Sequence, residues 1–301
     1  MHAKRLLLFG EQRSGTLLLQ SLLQAHPLIE VVPPDFDLNA AVKVFKLHPQ
    51  EVMKPRQAHV LWQRMRSTLR QLPETMPAHI RCFDELLGYR MALHAASTQV
   101  VCMKFHGPFS AVADLLAADD VYCLHIVRDV RDVLLSRAFR GEQQLDEWAL
   151  QWRASSASMR ELAGHPRVLS VRFEDLVAAH AREAARILDW LGLDMSQLPL
   201  PAADAQGRPK LQNSSFGELS AFDARAVGRY REKKALSLVR YAQWLCRTEL
   251  EHRHYPIDAS LQPNLVQRAY FLRRLATVAA IAAPRRAKDA ITAALLPSLA
   301  D

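Results

Sequence analysis

Three short segments hold side chains whose types and spacing suit chemistry on an anion. Arg13-Ser14-Gly15-Thr16 sets a guanidinium and two hydroxyls around a glycine turn. Arg128 and Ser136 bracket RDVRDVLLS, pairing a second guanidinium with a third hydroxyl. Lys104 and His106 end VVCMKFH two residues apart, so on an extended strand they share one face. Arginine offers a planar fork suited to phosphate or sulfate oxygens. Histidine, with an ordinary pKa near ~6.5, suits proton transfer at neutral pH.

The surrounding residues predict the elements that aim these groups. Leu6–Phe9 reads as a buried strand, turning through Gly10–Thr16 into an apolar-periodic helix that closes near His26-Pro27. Backbone N–H groups and the positive helix end then favour an anion at the turn. The same residues also make an ordinary capped helix start, and this segment alone leaves both readings open. The triphosphate loop is excluded, because Thr16 stands where Gly-x4-Gly-Lys-Ser/Thr needs its lysine. The G-x-G-x-x-G dinucleotide pattern is absent there as well. Val121–Val127 repeats the arrangement, a strand running into Arg128 and a helix from Val130, with Asp129 and Asp132 as helix-capping residues. Two arginine sites at strand ends imply a ligand with two separated phosphates.

On these residues the chain resembles the PAPS-dependent sulfotransferase family. Arg13-Ser14-Gly15-Thr16 matches its R/K-S-G-T-T 5′-phosphosulfate loop, and Arg128-Asp129-Val130-Arg131-Asp132-Val133 with Ser136 matches its R-D-P-R-D-V-x-x-S 3′-phosphate motif. Val171–Leu176 is similar to V-R-Y-E-D-L, and Ala226–Tyr255 to the G-R-W-R/K stretch with its terminal helix. The matches fall in the family's order over roughly residues 5 to 255. Leu17 replaces the loop's second threonine, Leu18 an adenine-stacking aromatic, Val130 the proline and Phe173 the tyrosine.

The resemblance implies a three-layer α/β sandwich, a central parallel sheet flanked by helices in the P-loop-NTPase-like sulfotransferase fold. It implies PAPS as co-substrate, PAP as product and a hydroxyl- or amine-bearing acceptor, such as a carbohydrate or small metabolite. Arg13, Ser14, Gly15, Thr16 and Leu17 would line the 5′-phosphosulfate, Arg128 and Ser136 the 3′-phosphate, with Phe173 packing alongside and Arg229 closing over the nucleotide. His106 would be the general base and Lys104, with Arg13, would steady the sulfuryl group. Another branch of the family uses an acid shortly after the first helix, which makes Asp35 the reserve base. The readings set against this one are a P-loop-like small-molecule kinase and a non-catalytic, membrane-associated nucleotide-binding protein.

Composition bounds the rest. The chain has 301 residues, 50% of them hydrophobic, enough to bury a large core in one α/β domain. Cys82, Cys102, Cys123 and Cys246 form no C-x-x-C pair and read as reduced core thiols. The N-terminal apolar run is too short for a signal peptide or anchor, so the expected location is cytoplasmic, or peripheral at the inner face of a membrane. The net charge of +8 suits a polyanionic nucleotide, but the basic residues are dispersed and no nucleic-acid module is recognisable. His252 and His254 lack a third ligand, and no metal is expected. Strands near 5–10, 99–104, 121–127 and 168–172 alternate with helices near 15–25, 109–118, 130–140 and 175–192, which predicts a parallel sheet covered on both faces. A further helix is expected over 141–166, where Trp148 and Trp152 lie four apart as core rings. Residues 33–98, with helices near 57–72 and 84–96, interrupt the pattern as an acceptor-binding insertion within a domain spanning 1–258. The basic extension 259–301 contains the amphipathic stretch Leu265–Ala283, which packs on the domain or a twin subunit, or lies on an anionic membrane.

Overall fold

The computed structural model describes residues 3–33, 48–69, 71–95, 98–105, 111–198, 222–232, 235–278 and 280. Five parallel strands form one sheet: β1 (Lys4–Phe9), β2 (Ile29–Val32), β3 (Val100–Lys104), β4 (Val121–Val127) and β5 (Val168–Arg172), in the order β2-β3-β1-β4-β5. The helices are α1 (Thr16–Gln24), α2 (Pro55–Thr68), α3 (Phe83–Ala92), α4 (Val112–Leu115), α5 (Val130–Ala138), α6 (Leu145–Glu161), α7 (Phe173–Ala178), α8 (His180–Leu191) and α9 (Leu236–His252). A last helix, α10, covers 265–278.

The central strand shows why the sheet lies where it does. Leu6, Leu7, Leu8 and Phe9 are all fully buried. Leu7 and Phe9 join a cluster with Trp62 and Met65 of α2 and with Phe83 and Leu87 of α3. Leu6 and Leu8 join a second cluster with Leu19 of α1 and Ile187 and Leu191 of α8. Alternate residues thus feed opposite faces, and burial of each large apolar side chain contributes ~1.5–3 kcal/mol. A third cluster joins Val130 and Leu134 of α5, Trp152 of α6 and Tyr241 of α9 to Phe271 of α10.

Several expectations shift. The sequence reading lacked β2, a four-residue strand too short for its alternation to stand out. The single helix expected over 175–192 is two, α7 and α8, because Ala179 leaves helical geometry between them. The helix expected near 109–118 is the single turn α4. All four cysteines are free and buried, and burial pushes the Cys102 and Cys123 thiols up to about 12, so they stay un-ionised. One side of α10 packs on the domain through Phe271, and an Arg274–Asp146 ion pair of 2.7 Å ties it to α6. Among the described residues no helix is long and apolar enough to cross a membrane.

The chain leaves β1 towards β2 on one side of the sheet, while β4 leads to β5 on the other. The resulting crevice at the carboxyl ends of β1 and β4 is where ligands bind in open parallel sheets. Both arginine segments end there.

Candidate active site

The first wall is the turn Gly10–Gly15 between β1 and α1. A Cβ on Gly10 would lie 2.6 Å from Thr16 Cγ2 and 2.7 Å from Ile126 Cγ2, so only glycine lets the turn press on β4. Gly15 has φ +92, and a Cβ there would meet the Phe173 ring at 2.4 Å. Phe173 thus lies directly on the turn. Arg13 also has positive φ, 75°, a strained conformation for a residue with a side chain. α1 begins with neither a side-chain cap nor an acidic residue in its first turn, leaving its positive end uncompensated. Ser14 is 1% exposed, and its Oγ has no hydrogen-bond partner among the described residues.

The second wall is the β4–α5 corner. Arg128 Nη1 donates to the Arg13 carbonyl at 3.1 Å and Nη2 to the Ala226 carbonyl at 2.5 Å, while the guanidinium lies 4.5 Å from the Phe173 ring centroid. Its buried Nε has no partner among the described residues. The corner is itself braced. Trp152 Nε1 donates to the Arg128 carbonyl at 3.0 Å, and the Asp129 N–H donates to Glu174 Oε1 at 3.0 Å. Glu174 Oε2 accepts from the Tyr255 hydroxyl at 2.9 Å. Asp129 caps α5 by accepting from the Arg131 N–H at 2.9 Å, as the sequence predicts. Asp132, read from the sequence as a second cap, lies in the first turn of α5 and reaches across instead: it accepts from the N–H groups of Gly228 at 2.7 Å and Tyr230 at 2.9 Å, which fixes the backbone on both sides of Arg229.

The two walls meet. Arg13 Nε donates to Ser136 Oγ at 3.0 Å, joining residues that the sequence assigns to different phosphates. Burial first, then repulsion from Arg140, Arg128 and Arg137, pushes Arg13 down to about 10. Arg13 remains charged at neutral pH, within a crowd of cations that an anion would relieve. Lys104 lies at the carboxyl edge of β3, paired in register with Leu8 of β1, and burial lowers its pKa. Leu17 is 41% exposed on α1 and offers the turn no hydroxyl. His106 and Asp35 lie outside the described residues. Among the described residues no His/Cys/Asp/Glu group is placed to hold a metal.

Some contributors were not read as site residues. Trp152 registers in the sequence only as a core ring, yet its indole N–H sets the Arg128 carbonyl. Arg137 is 1% exposed, lies over the Trp148 ring at 3.6 Å and pairs with Glu142. Its only sequence signal is its place beside Ser136. His26, read from the sequence as the close of the first helix, is a buried brace: its Nδ1 accepts the Leu28 N–H at 3.2 Å and its Nε2 lies 3.1 Å from the Asp194 carbonyl.

The model of the sulfotransferase family matches residues 6–197, more than half of the chain and both walls of the crevice as far as Phe173. The chain belongs to the sulfotransferase family. Solved structures of similar fold include the sulfotransferase domain of the Synechococcus olefin synthase, 18% identical with a TM-score of 0.55, the match covering 85% of this chain and 96% of that one. Another is the sulfotransferase domain from the curacin biosynthetic pathway, 13% identical with a TM-score of 0.54, covering 86% of this chain and 99% of that one. At these identities the likeness is one of fold. No curated protein matches the sulfotransferase by sequence.

Proposed function

We propose that this sulfotransferase moves the sulfuryl group of PAPS to a hydroxyl or amine of an acceptor, a carbohydrate or small metabolite, and releases PAP. The observation that carries the reading is the crevice of unspent donors and crowded cations. Ser14 Oγ and Arg128 Nε are buried without partners among the described residues, and Arg13 is depressed by its arginine neighbours. A buried donor left unpaired costs ~1–3 kcal/mol, and a ligand rich in phosphate oxygens supplies the missing acceptors. On this reading Arg13, Ser14, Gly15 and Thr16 hold the 5′-phosphosulfate, and Leu17 adds only its backbone. Arg128 and Ser136 take the 3′-phosphate, Phe173 supports Arg128, and Arg229 closes over the nucleotide from the stretch fixed by Asp132.

The chemistry is in-line displacement. The acceptor oxygen forms a bond to sulfur as the bond from sulfur to the bridging 5′-phosphate oxygen breaks. The acceptor proton passes to the His106 imidazole, with Asp35 as reserve base. Charge gathers on the departing phosphate and the sulfuryl oxygens, where Arg13 and Lys104 meet it. A depressed lysine pKa suits Lys104, since an incoming anion recovers part of its desolvation cost.

Thermal-shift titration with PAP and with ATP tests the nucleotide: PAP should stabilise the protein and ATP should do so far less. No stabilisation by millimolar PAP would overturn the cofactor reading, and a preference for ATP would favour a kinase. Transfer of labelled sulfate across sugars, phenols, alcohols and amines then reads the acceptor. His106→Ala should lower turnover by ~10²–10⁴ with PAP affinity unchanged. Near-normal turnover would pass the role of base to Asp35.

A further inference from the structure

We infer that α10 is a docking face for an anionic lipid surface. Only one side of this helix is used by the fold: Phe271 is 1% exposed against Tyr241 and Trp244, and Arg274 pairs with Asp146. The opposite side presents apolar side chains to solvent, with Leu265 81%, Val266 78% and Leu272 58% exposed. At 100° per residue these three fall on one arc, with Ala269 and Ala276 between them and Arg273 among them. Large exposed apolar residues elsewhere among the described residues are scattered along the chain. Here they share one face, and such a patch marks an interaction site.

Charge selects the occupant. Between Asp258 and Asp289 the chain holds no acidic residue and six basic ones: Arg268, Arg273, Arg274, Arg285, Arg286 and Lys288. Exposed apolar side chains inside a purely basic segment match the interface of an anionic bilayer, where leucines enter the acyl boundary and arginines reach the headgroups. A second copy of the chain fits less well. A two-fold contact would bring Arg273 of each copy into the same patch, and one face of a 14-residue helix falls short of the ~800 Å² per partner of a stable dimer. Phe271 and Arg274 hold the helix rigidly on α6 and α9, so docking would fix the orientation of the whole domain on the surface.

The test is flotation of the full chain with vesicles of phosphatidylcholine alone and of phosphatidylcholine with phosphatidylglycerol. Binding is expected to the mixed vesicles only and to weaken with salt. The double variant Leu265→Glu/Leu272→Glu, whose side chains face solvent, should keep the wild-type melting temperature and sulfotransferase turnover while partitioning at least about tenfold less. Arg273→Glu should weaken binding in the same direction. No flotation with the mixed vesicles, or flotation unchanged in the double variant, would overturn the inference. Concentration-dependent self-association lost in that variant, without lipid binding, would reassign the face to a second copy. None of these readouts depends on PAPS, so failure here leaves the proposed function standing.

Discussion

Gly15→Ala probes the geometry on which the crevice depends. At φ +92 an alanine pays the left-handed penalty of ~1–2 kcal/mol. Its Cβ would also sit 2.4 Å and 2.9 Å from two Phe173 ring carbons, well inside the ~3.5–4.0 Å of an ordinary carbon contact. The ring must move, and forced repacking of this kind costs ~1–3 kcal/mol. The sum, ~2–5 kcal/mol, corresponds to a fall in melting temperature on the order of 10 °C for a domain of this size. Phe173 carries the Arg128 guanidinium at 4.5 Å, so its displacement should also cut PAP affinity about tenfold or more. The assay is thermal unfolding with and without PAP for Gly15→Ala, Phe173→Leu and the double variant. With the ring gone, the alanine should cost only its backbone part, leaving a coupling of ~1–3 kcal/mol. A melting temperature within ~2 °C of wild type in the single variant, or strict additivity in the cycle, would refute the reasoning.

Arg13→Gly separates ligand binding from stability. It relieves a positive φ and removes one member of a repelling cluster, but loses the bond to Ser136 and loosens the unfolded chain, so net stability by denaturant unfolding should stay within ~1 kcal/mol. On the proposed nucleotide reading, PAP affinity by calorimetry should fall at least about tenfold through the loss of a charge-assisted phosphate contact. Glu174 is set up to make stability depend on pH. Burial, the leading cause, raises its pKa in the fold, so the native state holds its proton more tightly than the unfolded chain. Its stability contribution is therefore complete below the ordinary glutamate range and declines as pH rises through the raised value. Glu174→Gln, which cannot ionise, should gain on wild type over that window in unfolding titrations. A pH-independent difference between the two would contradict the assignment.

The two arginine corners were legible because strand–turn–helix signals are local. Leu6–Phe9 is a continuous apolar run, Gly10 and Gly15 punctuate the turn, and Arg128-Asp129 follows a second such run. What joins the corners is not local. The contact of Arg13 with Ser136 spans 123 residues, and that of Arg128 with the Arg13 carbonyl spans 115. Neither leaves a pattern in a window the length of a helix. Trp152 was hidden for another reason. A tryptophan on an amphipathic helix looks like core, and only the fold reveals which carbonyl its N–H meets. The strand β2 escaped because four residues give too few alternations to separate from loop.

The grip of Arg128 and Asp132 on residues 226–230 bears on the order in which the molecule is completed. The described strands of the sheet lie within the first 172 residues, whereas the carbonyl that takes Arg128 Nη2 and both N–H groups whose bonds Asp132 accepts come from beyond residue 222. On a chain emerging from the ribosome, the sheet can therefore collapse while Arg128 and Asp132 still lack these partners, each such vacancy costing ~1–3 kcal/mol. The crevice is finished last, by a segment that contributes no strand. A fragment cut at residue 197, where the family match ends, would carry the motif residues of both walls without the backbone groups that hold Arg128 and Asp132 in place.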